Sequence, residues 1–462
     1  MGRGLGGGGQ AVLEVDWGEL KPTKTQRLNG NGKNGGSYDP AFTGNKYEPI
    51  HRWVPWVAGY SSNFVDDVLI RYSKPAETTT TVLDPFAGVG TTLLQAHRRG
   101  CDVIGFEINP WAALVSRTKL AAGEQLSSQP LEEAVEKYRA FVKPHRRPES
   151  RPPEGFRSRI AFFSPKVERK VLVALDFIKS LEDEWTRDAF RVAFGAVMVS
   201  FSNYTYEPSL GSRPGAGKSL IEDADVSSKL SAKVLQMAED VKMIESRHPS
   251  KTAWVVHHQD FMDFEEHESR LADVVITSPP YLNNYHYVRN TRPQLWWLSL
   301  VQDTSDLQTL EEHNIGKFWQ TVRGLEEVSL QFENERLSAT LGSLREIRKE
   351  KGAYGGVGWA NYAASYFNDT WRFMTVLAKA LRPGGIAVIV IGNSIVQGVN
   401  LKVDEILADI AAPCGFETVR VDILRHNRVG GSILNSSVRR GSLPGEAVRL
   451  YESAVILRRS VR

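Results

Sequence analysis

The 462-residue sequence contains only two cysteines, Cys101 and Cys414, and has no long apolar run. Two cysteines exclude a disulfide framework and a cysteine-rich zinc site, and they suit a reducing compartment. No apolar stretch reaches the roughly 20 residues that a membrane-spanning helix needs, so we expect a cytoplasmic protein that does not span a membrane. The net charge of +3 is too small to indicate nucleic-acid binding by itself, so local basic clusters must provide any such contact.

The composition is that of a globular protein, with 41% hydrophobic and 24% charged residues. The length exceeds that of one usual compact domain, which predicts either a large domain with inserts or two domains. Residues 1–45 are rich in Gly, Asn, Ser and Lys. This segment cannot bury enough apolar surface to fold, so we expect a disordered tail.

The rest of the chain alternates between strand and helix patterns. The predicted strands cover residues 79–83, 101–107, 253–256, 273–277, 386–391, 417–424 and 454–457. This alternation predicts an α/β fold with an open, doubly wound, mostly parallel sheet of about seven strands. We assign residues 46–120 and 251–462 to its two halves. Residues 121–250 have helical periodicity and form a predicted helical insert, whereas residues 283–360 form a second insert without clean periodicity.

A glycine-rich turn follows the first predicted strand, in the sequence Asp84-Pro85-Phe86-Ala87-Gly88-Val89-Gly90-Thr91-Thr92. Glycines let a ligand approach the backbone, and the helix that follows offers N–H donors to an anionic group. Glu107, at the end of the second strand, can accept hydrogen bonds from ribose hydroxyls. A dinucleotide site would have a third glycine where Leu93 stands. The pattern favours a nucleoside-containing cofactor over a plain tight turn.

A second motif, Thr277-Ser278-Pro279-Pro280-Tyr281, ends a later predicted strand. Its two prolines stiffen the tip, and Pro280 has no backbone N–H to compete for partners. The Ser278 hydroxyl and the Pro279 carbonyl can both accept hydrogen bonds. An exocyclic amino nitrogen of a base is a poor nucleophile that needs such acceptors, and the Tyr281 ring can stack on a base rotated out of a duplex.

Together these motifs resemble the amino-group DNA methyltransferases of the Ser-Pro-Pro-Tyr type, with Ile104-Gly105-Phe106-Glu107-Ile108-Asn109-Pro110 matching the family's second cofactor motif. The resemblance implies a Rossmann-like methyltransferase sheet, S-adenosylmethionine as cofactor and double-stranded DNA as partner. It implies a catalytic motif of Ser278, Pro279, Pro280 and Tyr281. It also implies that the cofactor is bound by Phe64, Asp84, Phe86, Ala87, Gly88, Gly90, Thr91, Thr92, Glu107, Ile108, Asp260, Phe261 and Thr277.

The first position of the catalytic motif bears on the target base. In the family, a serine such as Ser278 is associated chiefly with N4 of cytosine, and Asp or Asn with N6 of adenine. The cofactor motif here precedes the catalytic motif, the reverse of the commonest order for Ser-Pro-Pro-Tyr enzymes. We therefore expect a nucleoid-associated cytosine-N4 methyltransferase. Adenine N6 or RNA guanine N2 methylation and an inactive DNA-binding subunit are the alternatives. No nuclease motif is evident, so a cognate restriction endonuclease would be a separate chain.

DNA contacts are expected from basic residues outside the sheet. Residues 137–159 hold eight Lys and Arg against two Glu. Our candidates for phosphate contacts are Arg146, Arg147, Arg213, Lys218, Arg289 and Arg292. Trp296 and Trp297 fit either a DNA contact or core packing. Base readout is expected in the two inserts.

Two further residue pairs have the residue types of a thiolate nucleophile and of a metal site, and we expect neither function. Pro413-Cys414 has the residues of a carbon-5 cytosine methyltransferase, but it lies away from the catalytic strand end, so we expect Cys414 to be a core residue. His257 and His258 are adjacent on a strand and point to opposite faces. We therefore predict no metal site.

Overall fold

The computed structural model describes residues 42–56, 59–74, 78–144, 147–206, 209–245, 252–264, 272–282, 287–317, 319–426 and 450–461. Residues 1–41 of the predicted tail and Arg146 lie outside the described residues. Asn45, which the sequence placed in the tail, is buried, and its side chain bonds the Ser62 N–H at 2.9 Å and the Tyr60 carbonyl at 3.2 Å. The folded part of the chain therefore includes the last residues of the predicted tail.

The strands are short, apart from three long ones near the C-terminus. They are β1 (Thr81–Asp84), β2 (Asp102–Phe106), β3 (Tyr204–Tyr206), β4 (Leu210–Ser212), β5 (Trp254–His257), β6 (Ala272–Thr277), β7 (Leu381–Gly392), β8 (Ser394–Val396), β9 (Val399–Leu401), β10 (Phe416–His426) and β11 (Tyr451–Arg459). The helices are α1 (Ser62–Tyr72), α2 (Thr91–Arg98), α3 (Pro110–Leu120), α4 (Ser128–Val142), α5 (Pro165–Ser180), α6 (Glu184–Val197), α7 (Val226–Glu245), α8 (Tyr287–Trp297), α9 (Thr304–Glu312), α10 (Trp319–Val322), α11 (Glu335–Glu346), α12 (Gly356–Ala380) and α13 (Val403–Ala411).

Seven strands form one sheet in the order β10-β11-β7-β6-β1-β2-β5. All neighbours are parallel except β11, which is antiparallel to both β7 and β10. The predicted doubly wound, mostly parallel sheet is therefore confirmed. The chain moves outward from β1 through β2 to β5 and then returns to the other side of β1 with β6. Such a reversal opens a crevice at the carboxyl ends of β1 and β6, where ligands bind in sheets of this kind.

Alternating residues of the central strands enter two different cores, as the pleat of a strand requires. Val82 and Val274 pack with α1 and α2 on one face. Leu83 and Val275 pack with α12 and α13 on the other. Burial on both faces explains why the strands read as continuous apolar runs. The crevice therefore lies at the edge of a rigid sheet.

A third core joins the segment predicted as a helical insert to the sheet half that carries the glycine-rich turn. Helices α4 to α7 pack with Ile50, Trp53, Val89 and Trp111. Asp240 of α7 is fully buried and accepts hydrogen bonds from the Ile50 N–H at 2.8 Å, the Trp53 indole at 3.0 Å and the Arg52 guanidinium. The helical segment is thus tied to the chain that precedes α1.

The stretch predicted without periodicity contains α8 to α11. Leu337, Leu341 and Leu344 of α11 are buried at helical spacing against α12. Gly356 begins α12, and a Cβ there would overlap the Leu344 carbonyl. This glycine therefore allows close helix packing rather than a loop. Among the described residues, no helix is both long and apolar enough to cross a bilayer.

Candidate active site

A pocket opens in the crevice where β1, β2 and β6 end. Many of the residues predicted for the site line it together, although they come from segments nearly 200 positions apart. These residues are Asp84, Phe86, Ala87, Gly88, Thr91, Glu107, Ile108, Asp260, Phe261, Ser278 and Pro280. The two sequence motifs therefore meet at one pocket.

The glycine-rich turn has the backbone that its sequence requires. Gly88 and Gly90 have positive φ of 52° and 78°, a region that side chains disfavour. A Cβ on Gly90 would also lie 2.5 Å from the Ser116 hydroxyl oxygen. The Gly88 N–H donates to Oε2 of Glu107 at 2.8 Å, while Oε1 accepts the Asn109 N–H at 2.7 Å. Glu107 therefore fixes the turn and closes one side of the pocket.

Two of the three carboxyl groups that line the pocket have raised pKa values. Burial raises the pKa of Glu107 to about 7, an effect opposed by hydrogen bonds from the backbone of Asn109, Gly88 and Ile108 and increased by nearby Asp84. Burial also raises the pKa of Asp84 to about 6, although Thr277 Oγ1 donates to its Oδ1 at 2.7 Å. When ionised, Asp84 and Glu107 can accept further hydrogen bonds besides those from the protein. They therefore suit a cationic ligand that carries hydroxyl groups.

Four residues predicted to bind cofactor do not line this pocket. Phe64 packs in the core edge-on to Tyr60, with ring centroids 5.6 Å apart. Thr92 donates to the Ile276 carbonyl at 3.2 Å, and Thr277 is fully buried beneath Asp84. Gly90 forms the N-cap of α2. The structure therefore places these four behind the pocket wall.

The Ser-Pro-Pro-Tyr tip follows β6 and is held by buried tyrosines. Tyr366 donates to the Pro280 carbonyl at 3.0 Å. Ser278 Oγ donates to Tyr281 Oη at 3.3 Å, and Tyr281 Oη donates to Glu452 Oε1 at 2.7 Å. Only 8% of Tyr281 is exposed, and neither it nor Pro279 lines the pocket. Ser278 is the polar side chain that the tip presents to the pocket.

Sequence reasoning missed part of the pocket wall. Trp56, Gly59 and Tyr60 line it from the segment before α1, and Tyr287 lines it from the start of α8. The Trp56 and Tyr287 rings stack with centroids 6.1 Å apart. Aromatic residues between His51 and Ile70 were a usable signal, because ligand pockets are lined mainly by hydrophobic and aromatic side chains. Tyr287 gave no such signal.

The Asp260 side of the pocket also contains residues that the sequence did not indicate. Asp260 Oδ1 accepts the Met262 N–H at 2.9 Å, and Oδ2 lies 3.1 Å from His313 Nδ1. Asp263 completes a group whose potential ligand atoms lie within 4.8 Å of one another, but Asp263 and His313 are exposed. The cap and the histidine contact account for the position of Asp260.

The residues predicted to contact DNA differ in exposure and in the contacts of their side chains. Arg147, Lys218 and Arg289 are exposed. Arg213 donates to the Ser219 carbonyl at 2.7 Å, and the Arg292 guanidinium lies 5.8 Å from the centre of the Phe156 ring. Trp296 and Trp297 are buried in the third core. Of the two readings, DNA contact and core packing, the structure therefore supports core packing.

The second cysteine lies away from the pocket. Cys414 packs at the edge of the α12–α13 core, with Sγ 3.7 Å from Thr375 Oγ1. Burial raises the pKa of its thiol, which disfavours the reactive thiolate. Cys414 is half-buried against this core rather than fully buried within it.

The known proteins to which this chain is similar in sequence are methyltransferases. No family model matches the chain. It is 24% identical over 435 residues to the Type II methyltransferase M.BsoBI of Geobacillus stearothermophilus, covering 85% of this chain and 83% of that protein. It is 23% identical over 415 residues to the Type II methyltransferase M.AvaI of Anabaena variabilis, covering 83% and 82%. The rRNA methyltransferase aviRa from Streptomyces viridochromogenes covers 92% of this chain and 95% of its own at 11% identity, but its TM-score of 0.32 is too low to support an inference.

The sheet order, the glycine-rich turn and the acid at the end of β2 define an S-adenosylmethionine-dependent methyltransferase. The pocket fits this cofactor, because Asp84 and Glu107 offer carboxylates to a sulfonium cation with ribose hydroxyls. Two relatives that are similar over more than four-fifths of this chain are Type II methyltransferases.

Proposed function

We propose that this methyltransferase modifies the exocyclic N4 amino group of cytosine in duplex DNA, with the target base rotated out of the helix. The observation that carries the proposal is the position of Ser278, which lines the same pocket as Gly88 and Glu107. A hydroxyl at this position distinguishes the chain from family members with Asp or Asn, which are associated with adenine N6.

Within this proposal, the tip positions the amino group. Ser278 Oγ, which lines the pocket, accepts one of its N–H groups. The Pro279 carbonyl, which must become accessible from the pocket, accepts the other, so that the nitrogen lone pair faces the methyl group of the cofactor. S-adenosylmethionine supplies that methyl group on an electron-poor sulfonium. Tyr366 holds the tip through the Pro280 carbonyl. The Tyr281 ring stacks on the base in our proposal, which requires its face to become accessible.

The cofactor contacts that we propose follow the family resemblance. Glu107 accepts from the ribose hydroxyls, and Ile108 and Phe261 contact the adenine with Asp260. Asp84, Phe86, Ala87, Gly88 and Thr91 surround the methionine side. Phe64, Gly90, Thr92 and Thr277 support this wall from behind.

The proposed DNA partner contacts the exposed Arg147, Lys218 and Arg289, whose phosphate contacts would supply affinity without sequence choice. The relatives are Type II methyltransferases. We infer by analogy a site-specific enzyme, with any cognate restriction endonuclease on another chain. Base readout is assigned to the two insert segments.

The test is transfer of labelled methyl from S-adenosylmethionine to duplex DNA, followed by identification of the modified nucleoside. We expect 4-methylcytosine. We expect Ser278→Ala to lose at least 100-fold in methylation rate with cofactor affinity unchanged, since removing one such hydrogen-bonding group costs about 10²–10³ in rate. The exposed Ser305→Ala is the matched control and should retain full activity. 6-methyladenine would contradict the base assignment, and label in RNA alone would contradict the DNA assignment.

A further inference from the structure

Glu452, at the start of β11, hydrogen-bonds both Tyr281 of the catalytic tip and Arg425 of the edge strand β10. It is 5% exposed and lies 171 residues from Tyr281 in sequence. Its Oε1 accepts the Tyr281 hydroxyl at 2.7 Å, and its Oε2 accepts Nε of Arg425 at 2.8 Å. Strand β11 pairs with β7, so its first residues lie beside the carboxyl end of β7 and near the tip. The fold therefore brings a buried carboxylate behind the site.

The hydrogen bonds of this group have a defined direction. A carboxylate is only an acceptor, so Tyr281 must use its single proton for Glu452. The Tyr281 oxygen then accepts the Ser278 hydroxyl proton, at 3.3 Å. With its proton turned toward Tyr281, Ser278 presents lone pairs to the pocket. This is the orientation that an amino-group donor needs.

We propose that Glu452 is a positioning residue for methyl transfer and the final acceptor of the proton that the reaction releases. The inference rests on the role proposed above for Ser278. It adds a defined path, Ser278 to Tyr281 to Glu452, from the reacting nitrogen to a buried base.

The step balances in atoms and charge. The N–C bond forms as the bond between the methyl carbon and the sulfonium sulfur breaks, and that electron pair stays on sulfur. The methylated nitrogen then carries one positive charge and an excess proton. This proton passes to Ser278 Oγ, the Ser278 proton passes to Tyr281 Oη, and the Tyr281 proton passes to the Glu452 carboxylate. Glu452 becomes neutral, and solvent removes its proton after turnover.

The variant Glu452→Gln distinguishes two roles of Glu452: uptake of the released proton, and hydrogen bonding that only holds the Tyr281 hydroxyl in place. The glutamine amide oxygen can still accept the Tyr281 hydroxyl, but it cannot take up the proton. We expect the single-turnover methylation rate, at saturating cofactor and DNA, to fall about 100-fold, within the range for general base catalysis. Cofactor Kd should stay unchanged. The unfolding temperature should fall, because the amide NH2 that replaces Oε2 cannot accept the Arg425 Nε–H. Glu417→Gln, at an exposed position of neighbouring β10, is the matched control and should retain the wild-type rate.

Tyr281→Phe provides a second measurement that leaves the Glu452–Arg425 pair intact. We expect a similar loss, and the double variant should lose no more than either single variant because both interrupt one path. A rate within threefold of wild type for either folded variant, or multiplied losses in the double variant, would overturn the proposal. Failure of the proposed function would look different: the wild-type protein would yield no 4-methylcytosine, or Ser278→Ala would be fully active.

Discussion

We predict that Glu107 makes cofactor binding pH-dependent, because it is a buried carboxyl group at the pocket. Its pKa in the free protein is raised to about 7 by burial, and its two oxygens already accept the Gly88 and Asn109 N–H groups. In our proposal the ionised Glu107 carboxylate accepts hydrogen bonds from the ribose hydroxyls of the cofactor, and the cationic sulfonium lies in the same pocket. Binding should therefore favour ionised Glu107 and release a proton at low pH.

The size of the effect follows from the fraction ionised. With a pKa of about 7, roughly one-tenth of Glu107 is ionised at pH 6 and roughly nine-tenths at pH 8, so affinity should be ~10-fold weaker at pH 6. Asp84, with a pKa of about 6, is half ionised at pH 6 and adds about twofold with the same sign. Glu107→Gln should therefore retain only about twofold dependence.

The same shift affects the stability of the free protein in the opposite sense. A raised carboxyl pKa means that the unfolded chain ionises first, so the unfolding free energy falls as pH rises from about 4.5 to about 7. Saturating S-adenosylmethionine should oppose this loss, because it binds the folded state. Two independent measurements thus report on one group.

Titration calorimetry at several pH values, in buffers of different ionisation enthalpy, measures both the affinity and the protons released. Glu136→Gln is the matched control, since Glu136 is 70% exposed on α4, and it should keep the full dependence. A cofactor Kd that is flat between pH 6 and 8 in the wild-type protein would refute the reasoning. An unchanged slope in Glu107→Gln would show that another group is responsible.

Two other predictions concern stability and reaction class. Asp240→Ala should lower the unfolding free energy by about 3–5 kcal/mol in urea denaturation, because it leaves Arg52, Trp53 and Ile50 without their buried acceptor, whereas exposed Glu239→Ala should stay within about 0.5 kcal/mol. A small loss for Asp240→Ala would mean that the helical segment and the chain before α1 are not coupled in this way. Cys414→Ser should keep the methylation rate within about twofold, and loss of activity without loss of folding would indicate thiolate chemistry.

The sequence predicted the secondary structure correctly where a strand is buried on both faces. Strands β1, β2, β6 and β7 are apolar on both faces, and their residues enter two cores, so their sequence alone marks them. The stretch with α8 to α11 was not recognised as helical. Helix α9 buries no residue and α10 spans only four residues, so neither shows an apolar stripe. The leucines of α11 did carry the helical period, and that signal was available.

The chain by itself determined the two motifs of the site. Gly88 and Gly90 occupy backbone conformations that other residues disfavour, and the prolines of the tip limit its geometry through their own rings. These are local effects, so a short sequence suffices to specify them. Composition and strand alternation likewise indicated the class of sheet.

Tertiary structure alone decided which distant residues meet at those motifs. Glu452 reaches Tyr281 because β11 inserts antiparallel between β7 and β10, and Trp56 meets Tyr287 because α8 packs beside the segment before α1. The raised pKa of Glu107 and the coupling through Asp240 also arise from burial. Burial and long-range contact depend on the folded arrangement of the whole chain, and no local pattern in the sequence encodes them.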